Sequence, residues 1–372
     1  MNVKTLANLK KGALAAVLLS FLAIMVILKL TMGPEFMPTL FKINPTYLGA
    51  AGALVVAGWG IEALRIRLLV RALGGHLRFM RALKIALIGA FAAAVTPFDT
   101  GGEPFQVYML QDAGITLGES TAVVAIKVLS SALARLVLGT AIPLWLILGK
   151  SRWDIPRSMD MVISGGLALY FLALFLGLFF MIRPETATSV ARAILKTRLM
   201  RRVIPEGRAD SILERIHDEV TAFRSALTRF LVSHRTVVIV VSILGLLGWI
   251  QLFLIPILLL RGLGVSPPYA GALGIISVFY MVAAYAPTPG ASGAAEASFA
   301  ILFGQIVPIH LIGIFVIAWR FITYHLTLII GGILVTLGIA RRGPPTRGRL
   351  TRGDPGKHSS CAPPDRKARR SR

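Results

Sequence analysis

Apolar residues come in long blocks along most of this chain, with polar residues gathered between them. A helix rises 1.5 Å per residue, so about 20 apolar residues cross the roughly 30 Å of a bilayer's hydrocarbon. Six blocks meet that length, at about 12–31, 46–64, 119–149, 160–182, 236–260 and 310–340. Two more apolar stretches, 82–112 and 268–306, are interrupted by Pro and Gly. Their arms of about 15 residues reach only about 22 Å as helices. Each pair of arms therefore reads as a re-entrant hairpin that returns to the side it entered. The plainer alternative is two kinked elements in an eight-span bundle.

The two interrupted stretches resemble each other. The first carries Thr96-Pro97-Phe98-Asp99-Thr100-Gly101-Gly102-Glu103, and the second Thr288-Pro289-Gly290-Ala291-Ser292-Gly293-Ala294-Ala295-Glu296. Both read Thr-Pro, then Gly, then Glu, with spacings that differ by one residue. Each half of the chain then has one plan: two spans, a hairpin and a third span, over 12–149 and again over 160–340. Three crossings separate corresponding elements, so the second half is inverted. The expected fold is an all-α integral membrane protein of six transmembrane helices and two re-entrant helical hairpins, arranged as an inverted repeat within a single domain, 1–340.

Composition agrees. With 55% hydrophobic and 15% charged residues and a mean hydropathy of +0.74, the chain has too little polar surface to cover a globule in water. The formal charge of +23 lies mostly between the spans. Basic stretches beside apolar blocks set topology and attract anionic headgroups. No aromatic-basic platform accompanies them, so nucleic acid is not the expected partner. Arg65 to Lys84 holds Arg65, Arg67, Arg71, Arg78, Arg81 and Lys84 without an acid, which places it in the cytoplasm. The 183–235 loop is basic and amphipathic, and reads as cytoplasmic helices lying along the interface. The first block lacks a small-x-small cleavage site and reads as a retained anchor. Residues 341–372, rich in Arg, Gly and Pro, read as a disordered basic tail. Both termini are then cytoplasmic in a multi-pass protein of the cell (inner) membrane. The lone Cys361 offers no disulfide framework.

Irregular backbone at membrane depth is tolerated only against protein or a wet cavity, so something polar should face the two Thr-Pro turns. Each turn starts a helix whose free N–H groups make an anion site, and Gly101, Gly102, Gly290 and Gly293 would let a headgroup come close. Asp99, Glu103 and Glu296 sit in apolar context, where a carboxylate costs about 2.5–3.5 kcal/mol on insertion scales. They read as coupling-ion sites or partners of buried cations; helix capping is the competing role, strongest for Asp99. Lys127, Arg135 and Arg320 are the candidate counter-charges, although Lys127 or Arg135 could instead snorkel to an interface. Glu62 and Arg65, with Trp59 before them, read as interface anchors. His310 and His325 look isolated. No group has the spacing of a metal site, and no cofactor is expected. The chain carries no GxSxG elbow, HExxH, P-loop or Cys pair, so the expectation is not an enzyme; a lipid-modifying site built on Asp99, Glu103 and Glu296 is the enzymatic alternative.

At these turns the chain resembles the flippase-like membrane family named for the transmembrane region of lysylphosphatidylglycerol synthases. The resemblance rests on Thr96 to Pro104 with Tyr108, on Ala286 to Glu296, and on Trp319-Arg-Phe-Ile-Thr-Tyr324 with Gly331. It implies handling or movement of phospholipid or polyprenyl-linked lipid, in some members beside a soluble aminoacyl-transferase domain that this sequence lacks. The family pattern places an acid-arginine pair in the span after the first hairpin, where this chain has Ile126 and Lys127; the lipid carried is therefore not transferable from the family. The candidate headgroup-binding set is Thr96, Asp99, Gly101, Gly102, Glu103, Tyr108, Lys127 and Arg135 from the first half. From the second half it is Thr288, Gly290, Ser292, Gly293, Glu296, Arg320 and Tyr324. The expected function is a lipid transporter binding an anionic headgroup at the repeat interface. The alternative is a non-transporting accessory subunit docked on an envelope-biosynthesis enzyme.

Overall fold

The structure, a computed structural model, describes residues 3–31, 43–148, 206–283 and 286–340, with a few positions between 171 and 186. The predicted span at 160–182, most of the 183–205 stretch and the 341–372 tail fall outside the described residues.

The described chain is almost wholly helical. In order come α1 (Val3–Thr31), α2 (Pro45–Ala72), α3 (Phe79–Ala94), α4 (Gly102–Gln111), α5 (Leu117–Leu148), α6 (Glu206–Thr228), α7 (Arg235–Gly262), α8 (Tyr269–Ala283), α9 (Ala294–Phe303), α10 (Ile309–Arg320) and α11 (Leu326–Ala340). Segments Leu117–Ile142, Arg235–Gly262 and Ile309–Leu337 are long and apolar enough to cross a membrane. Shorter apolar helices surround them. α10 and α11 form one rod through a π-turn at Phe321–His325, a widening that is common where side chains do work.

The two Pro-Gly stretches each form a pair of short helices around a tight turn. α3 and α4 have 16 and 10 residues, α8 and α9 have 15 and 10, and none reaches 30 Å at 1.5 Å per residue. Arg81, at the start of α3, donates to the Asp112 carbonyl just past α4 at 2.9 Å, so this pair begins and ends at one place. There too the α5 backbone N–H of Gly118 donates to Glu219 of α6 at 2.6 Å, and Arg229 lies 3.5 Å from Glu119. The N–H of Asn44, before α2, donates to the carbonyl of Gly262 at the far end of α7, 2.9 Å away.

Two differences from expectation have physical causes. α2 does not stop near residue 64 but continues to Ala72, because Arg65 is buried and hydrogen-bonded inside the bundle instead of facing headgroups. α6 does not merely lie on an interface: Ala226, Leu227 and Phe230 at its end and in the following turn are buried with Ala122, Val123 and Ile126 of α5. A second core gathers around Phe279, Phe299, Phe303, Phe315 and Trp319, joined by Ile27, Ala51 and Val55 of the first half, with the Phe299 and Trp319 rings stacked 3.9 Å apart.

Candidate functional site

Both turns have one backbone geometry. After Pro97, Phe98 and Asp99 have φ of 55° and 54°; after Pro289, Gly290 and Ala291 have φ of 57° and 53°. The Thr100 N–H donates to the Pro97 carbonyl at 3.2 Å, and the Ser292 N–H to the Pro289 carbonyl at 3.1 Å. Two successive left-handed residues closed by such a bond are the φ signature of a type I′ turn. Phe98, Asp99 and Ala291 hold this conformation without being glycine, at a cost of about 1–3 kcal/mol each. The turns also meet. Pro97 and Pro289 pair in an isolated antiparallel bridge, the one β-type contact among the described residues.

A buried ion pair braces the second turn. Glu296 is fully enclosed; its Oε2 accepts from the Gly293 N–H at 2.7 Å, and its Oε1 from Ser20 Oγ of α1 at 2.5 Å and Arg320 Nε of α10 at 2.8 Å. Arg320 Nη2 reaches back to the Gly290 carbonyl at 3.0 Å, and its guanidinium stacks over the Tyr324 ring at 4.2 Å. Tyr324 Oη donates to the Ala94 carbonyl at 2.9 Å, tying the π-turn to the end of α3. Gly290 sits in that crossing: a Cβ there would lie 2.5 Å from Tyr324 Oη and 2.7 Å from the Ala94 carbonyl. His325 is not isolated, since its Nδ1 lies 3.2 Å from the Arg320 carbonyl and its Nε2 3.5 Å from Ser20 Oγ.

The first turn is finished differently. Thr96 Oγ1 donates to the Ala92 carbonyl at 2.8 Å and accepts from the Gly101 N–H at 2.8 Å, so Thr96, not Asp99, takes the N–H of the residue that precedes α4. Asp99 and Glu103 remain exposed, and with Tyr108 they follow one accessible side of the turn and α4. Asp99 is open to solvent yet surrounded by protein on most sides, within Coulombic reach of Glu103, Arg135 and Arg320. Arg135 stacks over Trp249 of α7 at 4.5 Å. Asp99 thus shares one electrostatic neighbourhood with Glu103, Arg135 and the braced Arg320. Ser292 and Thr288 lie within the second turn, where their hydroxyls are enclosed.

Lys127 is not part of that neighbourhood. It is buried in a second polar cluster, where its Nζ donates to Glu62 Oε1 of α2 and Gln106 Oε1 of α4, both at 2.6 Å. Arg65 completes the cluster, donating to Glu62 at 2.9 Å, to the Lys127 carbonyl at 2.7 Å and to Ser130 Oγ at 2.6 Å. Interface anchoring for Glu62 and Arg65 is thereby corrected: Arg65 is only 4% exposed. Gln106 had not been singled out from the sequence. Its signal was a polar residue three positions after Glu103 on a short amphipathic arm. Among the described residues, no three His, Cys, Asp or Glu side chains converge as metal ligands.

A family model described as "Lysylphosphatidylglycerol synthase TM region" matches residues 13–331, which span both turns and both polar clusters. The chain belongs to that family. It is also similar to a UPF0104 membrane protein of Archaeoglobus fulgidus, 29% identical over 326 residues, covering 87% of this chain and 96% of the relative. Membership makes it a membrane protein.

Proposed function

We propose that this chain is a flippase-like lipid transporter of the cell (inner) membrane, with both termini in the cytoplasm. It takes the headgroup of an anionic phospholipid or a polyprenyl phosphate between two re-entrant hairpins and helps it across, without catalysis. The observation that carries this reading is the Pro97–Pro289 contact between two turns of one geometry. The short arms support entry without crossing, and the Arg81–Asp112 and Asn44–Gly262 bonds support entry from opposite sides as halves of an inverted repeat. Such repeats hold substrate near the midplane, where their broken helices meet.

The exposed carboxylates support a wet recess. Asp99 and Glu103 at mid-depth against lipid would be costly, whereas exposure to water lowers that cost and Arg320 and Arg135 lie within Coulombic reach of Asp99. A lipid phosphate drawn to Arg135 is opposed by the two carboxylates, which sets how firmly it is held. Asp99→Asn and Glu103→Gln should therefore tighten headgroup binding and slow release. The test is movement of labelled anionic lipid between leaflets of liposomes holding the purified full chain, with the lipid recovered at unchanged mass. Wild-type rates in both variants would remove these residues from the site; no lipid movement by the wild type would remove the transport reading.

A further inference from the structure

The cluster of Glu62, Arg65, Gln106 and Lys127 has no part in holding the headgroup, yet it places two cations and one carboxylate inside the first-half core. Arg65, Gln106, Lys127 and the adjoining Ser130 are each 4–6% exposed. Both cations draw on one acid, since Lys127 Nζ donates to Glu62 Oε1 and Arg65 Nη1 to Glu62 Oε2. Among the described residues no other carboxylate forms an ion pair with either of them. The formal charge of the cluster is therefore +1. A net charge enclosed in an apolar interior is costly unless an opposite charge balances it.

The hydrogen bonds show the same imbalance, because donors outnumber acceptors. Both Glu62 oxygens are engaged, Gln106 Oε1 takes a second bond from Lys127, and the Lys127 carbonyl and Ser130 Oγ take the two from Arg65 Nη2. The enclosed Arg65 Nε–H has no acceptor among these groups, and Lys127 uses two of the three N–H bonds an ammonium carries. α7 meets the guanidinium at Gly245, which brings no side-chain acceptor. Water would accept from these donors but leave the charge in place. A lipid phosphate would balance the charge but is too bulky for groups this enclosed. A monatomic anion does both. The two cationic heads hold one carboxylate, so they lie close together, and the Glu62 side chain, 28% accessible, marks the side open to an entering ion.

From this balance we infer that the first-half core binds one monovalent anion of chloride size, held by the Arg65 Nε–H and the Lys127 ammonium. The ion is a counter-charge that ties α2 to α5, and it does not depend on any lipid the protein handles. The test is thermal unfolding of the purified full chain in a neutral detergent, with sodium gluconate replaced stepwise by sodium chloride at constant ionic strength. An ion bound by the folded state alone should raise Tm saturably, by about 5–10 °C at 100 times its Kd. Glu62→Gln raises the formal charge to +2 and should lower the half-effective chloride concentration on the order of tenfold. Lys127→Gln brings the charge to zero and should abolish the chloride dependence. Wild-type protein should also broaden the chloride NMR resonance, and excess bromide should reverse the broadening, a readout that needs no variant. Equal Tm in gluconate and chloride, no bromide-reversible broadening, or an unchanged chloride response in Glu62→Gln or Lys127→Gln overturns the proposal. None of these results depends on whether the protein moves lipid.

Discussion

Replacing Glu296 by glutamine removes a charge but little volume, so its cost is almost entirely electrostatic. The carboxylate serves donors from its own turn, from α1 and from α10, and Arg320 has no other carboxylate among its recorded hydrogen bonds. Removing one member of a buried pair leaves the other uncompensated and costs about 3–5 kcal/mol, well above the roughly 1 kcal/mol of a neutral hydrogen bond. At about 2–4 °C per kcal/mol, Glu296→Gln should lower Tm on the order of 10 °C. Arg320→Met should cost a similar amount for the mirror reason. Because each single variant strands a charge that the double variant does not, the cycle should show a favourable coupling of about 1–3 kcal/mol. Thermal unfolding of the four proteins in one detergent measures it. Additivity within about 0.5 kcal/mol would refute the brace and free Glu296 and Arg320 for direct contact with a ligand.

Gly290→Ala should destabilise by about 2–5 kcal/mol, combining left-handed strain with the collision against Tyr324 and the Ala94 carbonyl. Gly60→Ala, at a helical position with open space around it, should be neutral or slightly stabilising in the same melts. Paired backbone residues bring Cα atoms to about 4.5–5.5 Å, within disulfide reach. Pro97→Cys with Pro289→Cys in a Cys361→Ser background should therefore form an intramolecular crosslink under mild oxidation, read as a mobility shift that reductant reverses; no crosslink would separate the two turns.

The helical plan was legible because apolar block length is a direct readout of bilayer thickness, and the two Thr-Pro turns were legible because Pro and Gly have few roles inside an apolar block. What single residues do there was harder to read. Glu103 and Glu296 both follow a Thr-Pro break, yet Glu296 bonds back to the start of its helix and pairs with Arg320 while Glu103 stays exposed and Thr96 takes the Gly101 N–H instead. The one-residue difference in spacing decides this, by putting Glu296 at the third position of α9. Glu62 and Arg65 looked like interface anchors because they sit at the edge of an apolar block beside Trp59. Only the packing of α5 against α2 and α4 reveals that Lys127 meets them, with Gln106 as its further acceptor, through contacts 62 to 65 positions apart for the α5 partners. Sequence periodicity carries no record of such pairings.

The account turns on two hairpins that come in from opposite faces of the membrane and touch. Single cysteines at Asp112 and at Gln305, each just beyond the short second arm of its helix pair, can be challenged in sealed vesicles with a thiol reagent that does not cross the bilayer. The two positions should label from opposite sides, Asp112→Cys from the cytoplasmic side and Gln305→Cys from the other. Labelling of both from one side would mean that the interrupted stretches cross the membrane, and the proposed meeting of inverted hairpins would be contradicted.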